Sequence, residues 1–193
     1  MKKIELGDIS GFAAYERIRE KQRQRIIELK QRRRVAVGDK VTLLFENRDT
    51  IIFQIHEMMR AERIGDLDKI RGEIEVYNEL IPGPHELSAT LFLELEDQAN
   101  VREDLLKFLG IDEAVYLDVG THRIRAVFEA GRSREDKISA VQYVKFPFSD
   151  AALQALTSGE KVELLIDHTN YKAAAPIERA TRESLIEDLT GET

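Results

Sequence analysis

The sequence predicts an α+β fold, in which a long basic helix and a helical hairpin pack with a mostly antiparallel sheet of about five strands and a C-terminal helix. Two patterns and the break between them support this prediction. In residues 1–83, apolar residues recur at three- and four-residue spacing, which is typical of amphipathic helices. From Leu87 onward they alternate with polar residues, which is typical of half-buried strands. Pro82-Gly83-Pro84 lies between the two patterns, and such a cluster ends a helix.

The first part of the chain, residues 1–83, is predicted to hold three helices. A narrow seam of partly apolar residues favours one long basic helix near the N-terminus. The next segment has helical periodicity, although Val41–Phe45 taken alone also fits a strand. A short turn at Gly65 joins it to a third helix, so we expect an antiparallel hairpin. The predicted bounds are residues 10–34, 41–64 and 66–81. The seam residues of the basic helix are Phe12, Tyr15, Ile18, Gln22, Ile26 and Leu29.

The second part, residues 84–193, is predicted to be rich in strands. Because hairpins and short helices tie these strands to one another, we predict that residues 1–193 form a single unit and not two independent domains. Strands are expected at residues 87–95, 114–119, 122–129, 138–148 and 162–166. Helices are expected at residues 101–109 and 149–158, and from Pro176 onward.

The composition limits the chemistry that this chain can carry out alone. Its 193 residues include no cysteine, which excludes disulfides, thiol nucleophiles, and any zinc site or iron–sulfur cluster held by cysteines of this chain. No run of about 20 apolar residues is present, so we expect no membrane span. The lysines near the N-terminus are not followed by an apolar stretch, so we expect no secretory signal. These observations together predict a cytoplasmic protein.

Charge is distributed unevenly along the chain. Residues 1–34 hold 11 Lys/Arg and 5 Asp/Glu, a net charge of +6, whereas the other residues carry −13. Such a basic arm either docks on the acidic body of its own chain or of a second subunit, or it binds a partner. Nucleic acid is one partner for residues 17–34, but the acidic remainder would repel phosphate. The candidate surface residues are Arg17, Arg19, Arg23, Arg32, Arg33 and Arg34.

His56-Glu57 lies in the middle of the second predicted helix, and His85-Glu86 lies just before the first predicted strand. No Gly-rich phosphate loop, G-x-S-x-G elbow or dinucleotide fingerprint accompanies them. The zinc-protease pattern needs a second histidine one helical turn further on, and those positions are Arg60 and Ala89. The first interpretation of His56 is therefore a packed helix that carries a structural histidine.

A metal or acid–base site is the second interpretation of these residues. The second helix and the first strand could converge across Pro82–Pro84, which would bring two histidines and two carboxylates together. Such a donor set suits iron, manganese or zinc. The candidate ligands are His56, Glu57, His85 and Glu86.

Three histidines, namely His85, His122 and His168, lie at strand ends and in phase with the apolar residues of their strands. If the strands form a simple meander, His85 and His122 share one end of the sheet. If the short helices make parallel crossovers, His122 and His168 share an end instead. The sequence leaves both arrangements open.

The chain resembles a bacterial family, domain of unknown function 3501, over nearly its whole length. The segments that carry the resemblance are FENRDT, QIHEM, YNELIPGPHELSATLFLELED, ISAVQYVKF and SLIEDL. The family has no established activity or catalytic residues to transfer. Its members tend to be encoded near rubrerythrin-like proteins and iron–sulfur oxidoreductase subunits, which implies a role in redox metabolism or oxidative-stress handling.

Three hypotheses about function follow. The first is a cytoplasmic accessory or interaction protein of a redox system, with rubrerythrin-like or iron–sulfur proteins, or a second copy of this chain, as partners. Its partner surfaces are the basic helix and the helical hairpin. The second is a histidine/carboxylate metalloprotein, with an enzymatic activity left open. The third is nucleic-acid binding through residues 17–34.

Overall fold

The computed structural model of the protein confirms the predicted α+β class. The structure describes residues 1–95, 100–129, 133–134 and 137–191. None of the helices in these ranges combines the length and the apolarity that a membrane span requires. The helices are α1 (Phe12–Arg33), α2 (Arg48–Ala61), α3 (Leu67–Asn78), α4 (Val101–Leu106), α5 (Asp150–Thr157) and α6 (Arg179–Thr190). The strands are β1 (Arg34–Val37), β2 (Val41–Glu46), β3 (Glu86–Leu93), β4 (Val115–Val119), β5 (His122–Arg125), β6 (Val127–Phe128), β7 (Ser133–Arg134), β8 (Lys137–Ile138), β9 (Val141–Pro147), β10 (Val162–His168) and β11 (Tyr171–Pro176).

The strand pairs are antiparallel and form two main sheets. The larger sheet has the order β1-β2-β3-β9-β6, the smaller has the order β11-β10-β4-β5, and β7 and β8 form a separate hairpin. Alternate side chains of the two main sheets meet in one apolar core, to which α5 and α6 also contribute. Fully buried members of this core include Leu43, Leu91, Leu117 and Ile166. This core holds the two sheets together through burial of apolar surface.

A second apolar core lies beneath α2 and α3. Ile51 and Ile55 of α2 pack with Ile70 and Ile74 of α3, and Ile4 of the N-terminal segment joins them. The predicted helical hairpin is therefore confirmed. The cluster is small and separate from the core between the sheets, so the N-terminal segment and the hairpin depend on each other for burial.

The face of the larger sheet next to α2 carries buried polar side chains. Glu46 pairs with Ser88 across β2 and β3, and Thr90 points to the same side as Ser88 because side chains alternate along a strand. All three residues are buried. Glu46 accepts hydrogen bonds from the hydroxyls of Thr50 (2.5 Å) and Thr90 (2.8 Å) and from the Gln54 amide (3.2 Å). The Glu46 carboxyl group therefore ties α2 to β2 and β3.

The helix predicted at residues 41–64 is wrong at its beginning, because β2 occupies residues 41–46. Every residue of β2 is buried, since β1 and β3 pair with its two edges and both faces are covered. A short strand that is buried on both faces does not alternate between apolar and polar residues, so periodicity cannot distinguish it from a buried helix. The helix begins after Asn47, whose side chain accepts a hydrogen bond from the Thr50 N–H while the Thr50 hydroxyl accepts one from the Asn47 N–H.

The prediction has one sheet of about five strands, whereas the structure has two main sheets, and neither β11 nor β1 is among the predicted strands. β11 has the sequence YKAAAP, with few of the branched or aromatic residues that favour strands, and it is held by its full pairing with β10. β1 follows α1 directly and pairs with β2. Because β2 in turn pairs with β3, the predicted boundary at residue 83 separates strands of one sheet.

The Tyr171 hydroxyl connects β11 to the turn between β1 and β2. It donates a hydrogen bond to the Val37 carbonyl (2.7 Å) and accepts one from the Lys40 N–H (3.0 Å). Gly38 in this turn has a φ of +74°, and a Cβ atom there would lie 2.2 Å from the Tyr171 oxygen. The turn therefore requires glycine both for its backbone conformation and for the space that Tyr171 occupies.

Candidate functional site

His56 lies on the buried side of α2, where it contacts the beginning of α1. Its ring stacks on the Tyr15 ring, with centroids 4.3 Å apart and planes 6° from parallel. Its Nε2 accepts a hydrogen bond from the Ser10 backbone N–H (2.9 Å), which assigns the proton of the neutral ring to Nδ1. Burial lowers the pKa of His56, although the Ile52 carbonyl and Glu57 oppose this shift. The ring is therefore neutral at pH 7 and acts as a packed hydrogen-bond acceptor.

Glu57, the neighbour of His56, connects α2 to two side chains of α1. It accepts a hydrogen bond from the Tyr15 hydroxyl (2.7 Å), and its two oxygens accept from the Arg19 guanidinium at 2.8 and 2.7 Å. Arg19 holds the pKa of Glu57 below its ordinary value, with a further contribution from Tyr15 and against the effect of burial. Burial and the hydrogen bond to Glu57 raise the pKa of Tyr15. This arrangement stabilises the ionised form of Glu57 and the neutral form of Tyr15. It also anchors α1 on α2.

His85 and Glu86, at the start of β3, have partners of their own. The His85 ring lies 3.3 Å from the Asp150 carboxylate at the beginning of α5. Glu86 pairs with Lys145 on β9 (3.0 Å) and accepts a hydrogen bond from the Gly83 N–H (3.0 Å). Both residues therefore fasten the start of β3 to neighbouring elements.

The described residues contain no group of three or more histidine, cysteine or carboxylate side chains that could hold a metal ion. His168, another candidate from the strand-end pattern, donates from Nε2 to the Leu109 carbonyl (2.8 Å) and accepts at Nδ1 from the Asn170 N–H (3.2 Å). Both ring nitrogens of His168 are thus engaged by the backbone. The structure divides the predicted ligands between the α1–α2 contact and the start of β3, and these ligands are His56, Glu57, His85 and Glu86.

The register also separates the three strand-end histidines. His85 precedes a strand of the larger sheet, whereas His122 begins β5 of the smaller sheet. Within the smaller sheet, Val119 pairs with both His122 and Val162, and His168 lies at the other end of β10. Neither of the two shared sheet ends that the sequence left open is therefore formed.

The basic arm docks in part on the acidic body of its own chain, which is one of the arrangements expected from its charge. Each of four arginines pairs with a carboxylate outside the arm. Arg34 also lies over the Phe92 ring, 5.6 Å from its centroid. The four pairs are Arg19–Glu57, Arg25–Asp49, Arg33–Asp188 and Arg34–Glu94.

Arg33, predicted as a surface residue, is fully buried at 0% exposure. Its guanidinium donates to the carbonyls of Phe45 (2.9 Å) and Glu46 (3.2 Å), to the Ser184 hydroxyl (2.8 Å) and to the Asp188 carboxylate. Burial raises the pKa of Asp188, and the Arg33 charge opposes that shift. Arg33 therefore ties the end of α1 to β2 and α6 and is inaccessible to a partner.

The outer side of α1 is exposed along the whole helix. Only Tyr15, Ile26 and Arg33 of its 22 residues are buried. Two large apolar residues in the middle of the helix, Ile18 and Ile27, expose 40% and 36% of their surface. A helix with so few buried residues leaves most of its length available for contact with another molecule.

Four residues on this outer side form what we name the open basic face: Arg17, Ile18, Lys21 and Arg32. The three cations are 4 and 11 residues apart, so they project from one side of the helix, and they span about 22 Å. All three are exposed, and none forms an ion pair with another described residue. Arg23, also predicted as a surface residue, is exposed but lies 3.7 Å from Glu20 of the same helix.

Residues 3–189 match the model of a family described as "Protein of unknown function (DUF3501)". The chain belongs to the DUF3501 family. This DUF3501 protein is similar to a crystal structure, at 1.90 Å resolution, of a novel protein of unknown function from Burkholderia pseudomallei, with a TM-score of 0.91 and 33% sequence identity. The similarity covers 97% of this chain and 100% of the other. No curated protein matches the chain significantly.

The open basic face of the DUF3501 protein is only partly predictable from its sequence. Arg17 and Arg32 are among the predicted surface residues, whereas Ile18 is part of the predicted seam that faces the body. An isoleucine at helical spacing indicates burial, but α1 is buried at only three positions. The signal that could identify Ile18 as exposed is the density of cations around it, because an acidic body can pair with only some of them.

Proposed function

We propose that this DUF3501 protein is an accessory interaction protein that docks on an acidic surface of a partner protein through the open basic face of α1. The observation that carries the proposal is the contrast within one helix, since its inner side is anchored to the body while Arg17, Lys21 and Arg32 have no ion-pair partner among the described residues. The anchors hold α1 in position before binding. A preformed surface avoids the entropy loss that ordering a helix upon binding would require.

Two features favour an acidic protein over nucleic acid as the partner. Ile18 adds exposed apolar surface to the open basic face, which suits the apolar centre of a protein interface. Glu20 and Glu28 are also exposed on α1, and the chain carries a net charge of −7, which disfavours the continuous charge of a phosphate backbone. A protein partner can place its carboxylates opposite the cations only.

A partner from a redox or oxidative-stress system is the specific form of this proposal. It rests on the family resemblance, which suggests rubrerythrin-like and iron–sulfur proteins as the first partners to test. The chain has no cysteine and no metal-binding group among its described residues. In this proposal the partner therefore holds the redox centre, and the DUF3501 protein acts on its assembly or placement.

Charge reversal on the open basic face tests the proposal. The test variant carries Arg17→Glu, Lys21→Glu and Arg32→Glu. A control variant with the same charge change carries Arg102→Glu, Lys161→Glu and Arg179→Glu, three exposed positions outside α1. Each protein is titrated, at low and at high salt, with purified rubrerythrin-like and iron–sulfur proteins, the partners that the family resemblance suggests.

We expect the wild type and the control variant to bind one of these proteins, the test variant to lose binding, and the complex to weaken as salt screens the charges. Equal binding by the test variant would contradict the proposal. A shift of labelled DNA or RNA at low salt that the test variant abolishes would replace it with nucleic-acid binding. Self-association that the test variant abolishes would identify a second copy of the chain as the partner.

A further inference from the structure

A cavity of about 210 Å³ opens on the polar face of the larger sheet, where the end of α3 lies against β9 and β6. A buried apolar cavity of about 150 Å³ holds benzene, so this volume admits one small aromatic ring with a short substituent. Most of the wall is apolar. The apolar contribution comes from Leu80, Val127, Phe128, Val144 and the Tyr143 ring.

Ser88 supplies a hydrogen-bonding group inside this cavity. Ser88 lines the cavity and is only 3% exposed. Its hydroxyl has no hydrogen-bond partner among the described residues. Glu46, which pairs with Ser88 across the strands, is engaged by Thr50 and Thr90 instead. The hydroxyl can therefore donate a hydrogen bond to a molecule in the cavity or accept one from it.

The mouth of the cavity favours a positive charge. Glu79, at the end of α3, lines it and is exposed. Glu79 forms no ion pair with another described residue. Lys145, the cation among the lining residues, pairs with Glu86 at 3.0 Å. Glu79 therefore places a carboxylate without an ion pair to a described residue at the mouth, which attracts a cation and repels an anion.

We propose that this cavity binds a small amine with an aromatic body. The ammonium group pairs with Glu79 at the mouth, the ring packs between Leu80 and Val127, and a hydroxyl at the far end of the ring hydrogen-bonds to Ser88. Ammonium groups also gain from nearby aromatic faces, and Phe128 supplies one in the wall. This inference is independent of the proposed partner surface, because none of these residues belongs to α1.

Three probes separate the parts of the proposal. Tyramine carries the ammonium group, the ring and the phenolic hydroxyl. Phenethylamine keeps the ammonium group and the ring but lacks the phenolic hydroxyl. Tyrosol keeps the ring and the phenolic hydroxyl but has a neutral hydroxyl in place of the ammonium group. We expect tyramine to bind most tightly in calorimetric titrations at low salt. Amide chemical shifts of Leu80, Val127 and Val144 should move in its presence, which locates the ligand. No shift at these amides at millimolar tyramine, or equal affinities for tyramine and tyrosol, would overturn the proposal.

Two variants test the assigned contacts separately. Ser88→Ala should weaken tyramine about fivefold, the value of one neutral hydrogen bond, and leave phenethylamine unchanged. Glu79→Gln should weaken both amines about threefold, as expected for an exposed ion pair, and leave tyrosol unchanged. Glu103→Gln on α4, an exposed position that does not line the cavity, is the matched control and should change nothing.

If Ser88→Ala weakened the binding of tyramine and of phenethylamine to the same extent, the role of the Ser88 hydroxyl would be refuted. Because Ser88 is buried, the thermal midpoint of that variant is measured alongside binding. Val127→Trp provides a second test from an exposed position of the wall. Its larger ring should fill the mouth and abolish binding of all three probes, and unchanged binding would place the ligand outside this cavity.

Discussion

The two sides of α1 use the same residue types for different purposes. On the side that faces the body, Arg19 forms a bidentate ion pair with Glu57, and Arg33 is buried against Asp188. On the other side Arg32, the immediate neighbour of Arg33, is exposed and has no ion pair with a described residue. The partner that the body places within reach, and not the type of residue, thus decides whether an arginine anchors the arm.

This difference separates stability from binding. A buried charge that loses its partner is costly, because the remaining charge stays out of water. An exposed cation contributes little to stability, since water and salt screen it, and it keeps its capacity to bind another molecule. Substitutions on the anchored side should therefore change the free energy of unfolding, whereas substitutions on the open basic face should change binding only.

The largest effect is expected for Arg33→Ala. Removing the guanidinium leaves Asp188 buried without its cation and removes the hydrogen bonds to Phe45, Glu46 and Ser184. We expect a loss of about 3–5 kcal/mol in the free energy of unfolding, measured by urea titration. Arg32→Ala is the matched control and should stay within about 0.5 kcal/mol of the wild type. Similar losses of unfolding free energy in Arg33→Ala and Arg32→Ala would show that the two sides of α1 do not differ in their contribution to stability.

Glu57→Ala is expected to have the next largest effect. It removes the acceptor of the Tyr15 hydroxyl and of the Arg19 guanidinium, and the free energy of unfolding should fall by roughly 1.5–3 kcal/mol. In the folded protein, the Arg19 guanidinium holds the pKa of Glu57 below its ordinary value of 4.5. Its contribution is therefore present above pH 4.5 and is lost as the pH falls further. The difference between wild type and Glu57→Ala should accordingly shrink in acid, and a constant difference would contradict this account.

His56 should make the anchored side sensitive to mild acid. Because burial holds the pKa of His56 below its ordinary value of 6.5, the unfolded chain takes up a proton first as the pH falls. The free energy of unfolding should then decrease below pH 6.5 by up to about 1.4 kcal/mol per pH unit, until the folded protein also binds the proton. Protonation of Nε2 also removes the acceptor for the Ser10 N–H.

His56→Gln tests this dependence, because glutamine keeps a hydrogen-bond acceptor and does not titrate. Unfolding by urea at pH 7.5 and pH 5.5 should give a smaller difference in the variant than in the wild type. The interval lies above the range in which Glu57 titrates, so the two effects are measured separately. Identical differences in the two proteins would show that His56 does not govern the response.

The sequence predicts the long elements of the fold well, for identifiable physical reasons. The basic helix, predicted at residues 10–34, spans Phe12–Arg33, since charges and apolar residues follow helical spacing over six turns. For β2 the sequence predicts a helix and leaves a strand at Val41–Phe45 as the alternative, and β11 is not predicted. β2 is buried on both faces, and β11 is short of strand-forming side chains. Both owe their conformation to neighbours that are distant in sequence, which local patterns do not contain.

The candidate sites, too, could be predicted only where the local sequence pattern contains the signal. The structural interpretation of His56 was accessible from its apolar helix, but its partners Tyr15 and Ser10 come from another element. The burial of Arg33 could not be predicted from the sequence, because its neighbours Arg32 and Arg34 are of the same type and are exposed. Ser88 stands in the polar phase of β3, and only the covering helices turn that phase into a buried cavity wall.

The smallest effect on stability is expected for the reversal of the whole open basic face. The variant with Arg17→Glu, Lys21→Glu and Arg32→Glu breaks no ion pair among the described residues, so its free energy of unfolding should change by less than about 1 kcal/mol. Urea unfolding at 0.15 M salt measures this. A larger loss would mean that these cations stabilise α1 through the acidic field of the body. The face would then be an anchor like the opposite side, and weakened partner binding by the variant could no longer be assigned to the face itself.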